Sequence, residues 1–341
     1  MRILIVTDAW HPQVNGVVRT LDRLASDAER LGHTIHFLTP QHYPKAPLPG
    51  YPEIQLALAT PQSVADAIEA QNPDALHIST EGPLGWLARH WAIKVGRPFT
   101  TCYHTRYPQY ISARYPVPES VTYGVMRYFH NAGVATMVAT PSLRTELQEQ
   151  GFNRCLIWSR GVDAELFHPN ARAPMDLPGP IFLCVARVAV EKNLEAFLSL
   201  DLPGSKLIVG DGPDREMLQA KYPDAHFLGA RFGEDLARLY ASADVFVFPS
   251  KTETFGLVML EALASGTPVA AFPVDGLIPE LVKAGAGVMN HDLRTAALAA
   301  LDISRDTARH FALGYSHENA AKQFLSNVSE AIYRPMQMWA A

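Results

Sequence analysis

The stretch VFVFPSKTETFGLVMLEALA, Val245 to Ala264, decides the fold. Its opening run VFVFPS reads as a buried strand, and Leu257, Leu260 and Ala264 then recur at helical spacing. The order is strand, loop, helix. The loop holds Glu253, Thr254, Phe255 and Gly256, so the unpaired amides of the first helical turn face the space beyond the strand's carboxyl end, where an anion is stabilised. Glu253 stands before the helix and Glu261 about two turns into it, which predicts carboxylates on either side of that anion site at different depths. A carboxylate repels a phosphate, so the pair points to neutral hydroxyls.

Outward from this unit the same alternation repeats. IFLCVAR, SKLIVG, AHFLG, VFVFP and PVAAF are five short apolar runs with a helical segment between consecutive pairs, the pattern of a doubly wound parallel sheet. The first half of the chain carries its own series: RILIVT, HTIHFLT, DALHIST, FTTCYH and VATMVAT. Val18, Leu21, Leu24, Ala25, Ala28 and Leu31 make one helical face after the first run, and helices are predicted over Gly85 to Val95 and Ser142 to Gln150. The segment from Gln41 to Pro52 has four prolines, which exclude helix and central strand and predict an exposed loop. Four more between Gly161 and Pro180 give linker composition.

At 341 residues the chain exceeds one ordinary core. The expectation is an α/β protein of two doubly wound parallel-sheet, Rossmann-like domains facing across a cleft. The predicted divisions are residues 1–165, a proline-rich linker over 166–180, residues 181–316, and a final helical segment over 317–341. The stretch His317 to Tyr333 has no strand after it and is expected to cross back to the first domain.

Composition narrows the chemistry. A net charge of −5 gives no support for a nucleic-acid partner. Cys102, Cys155 and Cys184 are scattered among apolar runs and fit neither a disulfide framework nor a metal knuckle, which predicts a cytoplasmic setting. The start MRILIVTDAWHP has too short an apolar run for a signal peptide, and no stretch is long enough to span a membrane. No HExxH pair, GxSxG elbow, GxGxxG fingerprint or P-loop is present, which disfavours metal catalysis, serine hydrolysis, and dinucleotide or NTP sites of the standard kinds.

Ligands of open parallel sheets sit beyond the carboxyl ends of the strands, so the strand-to-helix loops are the search area. Arg187 ends a strand and Lys192 lies five residues on at a helix start, two cations suited to a diphosphate, although alone they read equally well as solvated charges. Gly16, before the first helix, would let backbone approach a phosphate, although by itself it means only a tight turn. His104 lies in a polar loop at a strand end, a place for a functional histidine or for one that caps the sheet.

Taken in order, NGVVRT, YHT, GVDAELFHP, ARVAVEKN, VGDGP and the paired glutamates of ETFGLVMLE resemble the retaining glycosyltransferases of family 4, with the GT-B arrangement of two Rossmann-like lobes, over nearly the whole chain. The resemblance implies that Gly16, Arg187 and Lys192 meet the diphosphate of a UDP- or GDP-linked sugar. It implies Glu261 on the ribose hydroxyls, Glu253 on hydroxyls of the transferred sugar, and His104 beside that sugar and the reacting phosphate. Phe255, Gly256 and Leu257 would present backbone amides to the same region. No metal or other cofactor is implied, because cations and helix starts neutralise the leaving diphosphate. Two departures stand out: Ala186 precedes Arg187 where glycine is commoner, and His317 replaces a frequent tryptophan near the final helix.

TDAWHPQVNGVVRTL and TCYHTRYPQY look most like the subgroup that glycosylates diacylglycerol or related lipids, the sulfolipid-synthase-like members included. His104 to His130 adds a physical hint. Arg106, Arg114 and Arg127 are interleaved with Tyr107, Tyr110, Tyr115, Tyr123, Tyr128 and Phe129 against the single acid Glu119, a mixture suited to an anionic bilayer surface. An aromatic-rich helix packed on its domain fits equally. The expectation is a cytoplasmic protein held peripherally on the cytoplasmic face of the membrane, with a lipid acceptor. A soluble acceptor, a nucleotide-sugar epimerase and a non-catalytic sugar-binding protein are the alternatives.

Overall fold

The computed structural model describes residues 1–13, 16–48 and 51–333. Asn15 of NGVVRT, Pro49 of the proline-rich loop and residues 334–341 of the final segment lie outside that range. The chain divides into two compact units, Met1–Arg160 together with His317–Ala341, and Gly161–Ser316.

The first unit runs β1 Arg2–Val6, α1 Gly16–Arg30, β2 Thr34–Leu38, β3 Lys45–Leu48, β4 Tyr51–Ala57, α2 Pro61–Gln71 and β5 Ala75–Ile78. It continues with α3 Pro83–Val95, β6 Phe99–Cys102, α4 Tyr107–Ser112, α5 Glu119–His130, β7 Ala135–Val138, α6 Pro141–Glu149 and β8 Cys155–Ile157. The second unit has β9 Ile181–Val185, α7 Leu194–Leu198, β10 Ser205–Val209, α8 Arg215–Lys221, β11 His226–Phe227, α9 Gly233–Ser242 and β12 Val245–Phe248. Then follow α10 Leu257–Ala264, β13 Val269–Ala271, α11 Ile278–Lys283, β14 Gly287–Met289, α12 Leu293–Ala300 and α13 Arg305–Leu313; α14, His317–Tyr333, returns to the first unit.

Each unit holds one six-stranded parallel sheet, ordered β2-β1-β5-β6-β7-β8 in the first and β11-β10-β9-β12-β13-β14 in the second. The strands are continuous apolar runs because helices cover both faces: every residue of β5, β6, β7 and β12 is buried. The two doubly wound sheets are those expected. Each also has a sixth strand, β8 or β14, that the apolar pattern did not reveal. Both are three-residue edge strands, each with a single strand neighbour and only one buried residue. The proline-rich loop is a second addition. Lys45–Leu48 and Tyr51–Ala57 pair as an antiparallel hairpin outside the main sheet, where a missing proline N–H is tolerated.

α14 docks on α1. Ala321, Phe324, Leu325 and Val328 join Ile3, Ile5, Leu21, Leu24 and Trp158 in one buried cluster, so an apolar stripe seats this helix without a tryptophan at His317. The proline-rich stretch after Gly161 is strapped to the second unit. Phe167 is buried edge-on to Tyr240, and the Ala173 amide and carbonyl both bond Ser242 Oγ at 3.0 Å.

Candidate functional site

In the second sheet the strand order reverses between β9 and β12, and the crevice outside such a switch point is where open α/β sheets bind ligands. The loops leaving these two strands carry Arg187 and Lys192, and Glu253 to Gly256. Backbone bonds hold the first loop. Ala186 N donates to Val209 O, Val188 N to Asp211 O and Asp214 N to Val188 O, at 3.0 to 3.1 Å. Gly210, at φ 138°, lets this approach happen, because a Cβ there would run into the Ala186 carbonyl. Asn193, in the left-handed region at φ 51°, ends the turn and donates Nδ2 to the Pro249 carbonyl at 3.0 Å, tying the two loops together.

This tie places Lys192 Nζ 3.4 Å from Glu253 Oε2, with both side chains mostly buried. Thr254 N donates to Glu253 Oε1 at 2.9 Å. Burial pushes the Glu253 carboxyl up, but the Lys192 ammonium and the amides of Thr254 and Phe255 outweigh it, so the group lies below the usual glutamate range. Gly256 and Leu257 follow at the start of α10. Gly256, at φ 90°, makes the left-handed turn that begins α10.

α10 starts at Leu257, so Glu261 lies one turn into it and not two. Glu261 is buried, and Tyr240 on α9 donates its hydroxyl to Oε2 at 3.0 Å. The two carboxylates thus differ in support, one by a cation and amides, the other by a phenol. Arg187 is half-buried in the loop after β9, and Gly16 is the exposed first residue of α1.

His104, after β6 in the first unit, is the centre of a second polar group. Its Nε2 lies 3.0 Å from Ser79 Oγ, and its Nδ1 3.3 Å from Nη2 of the buried Arg160. Burial first, then the Arg160 charge and the neighbouring His77 and His130, hold His104 well below the usual histidine range. The α3 start is already satisfied from within: Asp8 accepts from the Leu84 and Gly85 amides at 2.9 and 3.2 Å. Ser79, Arg160 and Tyr240 are site residues that the sequence reading missed. Each is a single polar residue whose partner is 21 or more positions away, and Arg160 follows the unrecognised strand β8.

The Tyr107 to Phe129 segment is less uniformly exposed than its composition suggests. Arg106 is buried and makes two bonds of 2.8 Å to Glu146, which also accepts from Tyr123 at 2.8 Å; Tyr123 and Phe129 face inward. The exposed side of α5 presents Val121, Val125 and Tyr128, with Tyr115 in the loop before it and Arg114 and Arg127 among the exposed residues. No helix among the described residues is long and apolar enough to cross a membrane.

Two Rossmann-like sheets, with paired glutamates and cations at the second sheet's switch point, define a glycosyltransferase of the GT-B class. Residues 14–166 match "Glycosyltransferase Family 4" and residues 179–306 match "Glycosyl transferases group 1". The chain belongs to the family 4 glycosyltransferases. It is 33% identical over 80% of its length to a GDP-mannose-dependent alpha-mannosyltransferase of Mycobacterium tuberculosis, covering 79% of that protein. It is 34% identical over 69% of its length to sulfoquinovosyl transferase SQD2 of Arabidopsis thaliana, of which it covers 49%. With the alpha-monoglucosyldiacylglycerol synthase of Streptococcus pneumoniae it shares 26% identity over 97% of its length and 85% of that protein. Among solved structures, sucrose-phosphate synthase from Thermosynechococcus elongatus has the same fold, with a TM-score of 0.79 and 20% identity over 96% of this chain and 98% of that one.

Proposed function

We propose that the protein transfers a hexose, with retention of configuration and without a metal, from a UDP- or GDP-linked sugar to a hydroxyl of diacylglycerol or a related lipid. The observation that carries the donor half is the Lys192–Glu253 pair at the β9/β12 switch point, with Glu261 one turn into α10. In this reading Arg187 and Lys192 take the charge that grows on the leaving diphosphate, helped by the helix start at Gly256 and Leu257. Glu261, oriented by Tyr240, accepts from the ribose hydroxyls. Glu253, kept ionised by Lys192 and the amides of Thr254 and Phe255, accepts from hydroxyls of the sugar. His104 stands beside that sugar, and Gly16 lets the α1 start approach the diphosphate.

The GDP-mannose-dependent alpha-mannosyltransferase supports a nucleotide-sugar donor, and the alpha-monoglucosyldiacylglycerol synthase supports a lipid acceptor. The exposed Val121, Val125, Tyr128 and Tyr115 near Arg114 and Arg127 support a peripheral contact with an anionic surface, which would place the protein on the cytoplasmic face of the membrane. Incubation of the protein with labelled UDP- and GDP-sugars and a lipid extract tests the reading. A labelled, chloroform-soluble product is expected. Label passing only to water-soluble acceptors would overturn the lipid half and leave the donor half standing.

A further inference from the structure

We propose that Arg160 is a positioning residue for His104: by donating to Nδ1 it holds the imidazole as the neutral tautomer with the proton on Nε2, so that His104 acts as a hydrogen-bond donor and not as a proton-transfer group. This rests on the reading that His104 stands beside the donor sugar. A guanidinium has N–H donors and no acceptor, so its 3.3 Å contact to Nδ1 is possible only while that nitrogen keeps its lone pair. The proton of the neutral ring then lies on Nε2, which faces Ser79 Oγ at 3.0 Å, a hydroxyl able to accept it. Protonating Nδ1 would set an N–H against a cation in a buried place.

The geometry leaves Arg160 little freedom. Its guanidinium lies 4.3 Å from the centre of the Trp158 ring, and Nη1 donates to the Trp158 and Ser159 carbonyls at 2.6 and 3.3 Å. Nη2 also reaches Cys102 Sγ at 3.7 Å; burial raises that thiol to about 12, so it stays uncharged. Trp158, His77 and His130 also lie near the imidazole, and none of these three supplies the negative charge that an imidazolium needs. His130 is itself paired with Glu81, at 2.9 Å. Where a sugar hydroxyl or a phosphate oxygen displaces Ser79 Oγ, the same Nε2–H is available to it, and a ring that does not titrate adds no histidine limb to the pH profile of transfer.

The test is the tautomer, read by long-range proton–nitrogen correlation in the full-length protein labelled at its histidine nitrogens, with His104 assigned by its loss in His104→Gln. The wild type is expected to give an Nε2-protonated, neutral His104 from about pH 5 to 8. Arg160→Leu should mix the two tautomers and let the ring titrate closer to its ordinary pKa of about 6.5. It should also lower kcat about tenfold, the effect of one misdirected hydrogen bond, with a smaller change in KM. Arg160→Lys, which still only donates, should keep the wild-type tautomer. A wild-type ring protonated on Nδ1, or one that is cationic at about pH 6, overturns the proposal whether or not the leucine variant folds, as does an unchanged spectrum in a folded Arg160→Leu. Titration with the nucleotide sugar separates the underlying reading. If the tautomer is as stated but the His104 signals ignore the donor, the placement beside the sugar fails and the role of Arg160 stands.

Discussion

Replacing Lys192 by methionine tests the donor site in two independent ways. The side chain keeps its length and loses its charge, so Glu253 loses the Lys192 ammonium and keeps the Thr254 amide and hydroxyl. The pair is mostly buried, with side-chain exposures of 21% and 16%, and is joined by one contact of 3.4 Å. One charge-assisted hydrogen bond of that kind is worth about 2 kcal/mol, less than the roughly 3 to 5 kcal/mol lost when a fully buried pair is broken. The loss should depend on pH. Glu253 has a folded-state pKa below its unfolded value, so its stabilisation is complete above the unfolded pKa of about 4.3 and disappears as pH falls through the folded value. The wild type should therefore exceed Lys192→Met by about 2 kcal/mol at about pH 7, with the gap narrowing below about pH 4. Urea unfolding at both pH values measures this, and Glu253→Gln in the methionine background should recover part of the loss. Kinetically, if Lys192 meets the leaving diphosphate as proposed, its removal should lower kcat by about 100-fold with a smaller effect on KM, and the Glu253→Gln change should not restore it. A stability gap of equal size at both pH values would refute the ion-pair argument. A kcat within about twofold of wild type would refute the leaving-group role.

Glu261→Ala should weaken the nucleotide sugar by about 2 to 3 kcal/mol in calorimetry, and Tyr240→Phe by about 1 kcal/mol through loss of one orienting bond; donor affinity unchanged in folded Glu261→Ala would remove Glu261 from the ribose. Activity should survive EDTA under the proposal that protein cations and helix amides take the place of a metal; loss on chelation with recovery on added magnesium or manganese would reject that mechanism. Arg114→Ser with Arg127→Ser should weaken co-sedimentation with anionic vesicles by about 2 kcal/mol, roughly 30-fold, and raised salt should do the same. Arg106→Ser should leave vesicle binding nearly intact but lower the unfolding midpoint, because it strands Glu146; equal vesicle effects from all three arginines would contradict the burial of Arg106.

What could be read from the sequence and what could not divides along the distance over which the physics acts. A strand in the middle of a parallel sheet is apolar on both faces, and the helix after it repeats at 3.6 residues. VFVF and the stripe of Leu257, Leu260 and Ala264 therefore declare themselves within twenty residues, and α14 could be bounded at His317–Tyr333 for the same reason. Edge strands such as Cys155–Ile157 and Gly287–Met289 need no such pattern, because one neighbour and a covering helix suffice to hold three residues. Glu253 and Lys192 were legible as strand-end residues, but not as partners: their meeting depends on Asn193 reaching Pro249, 56 positions on. Arg106 is the sharpest case. Among tyrosines and other arginines it has the composition of a surface residue, and only the return of the chain 40 positions later, bringing Glu146 to both ends of its guanidinium, makes burial less costly than exposure. A basic and aromatic segment therefore specifies a surface only after its long-range carboxylates are counted, which is why Arg114 and Arg127, and not Arg106, are the residues on which vesicle binding should depend.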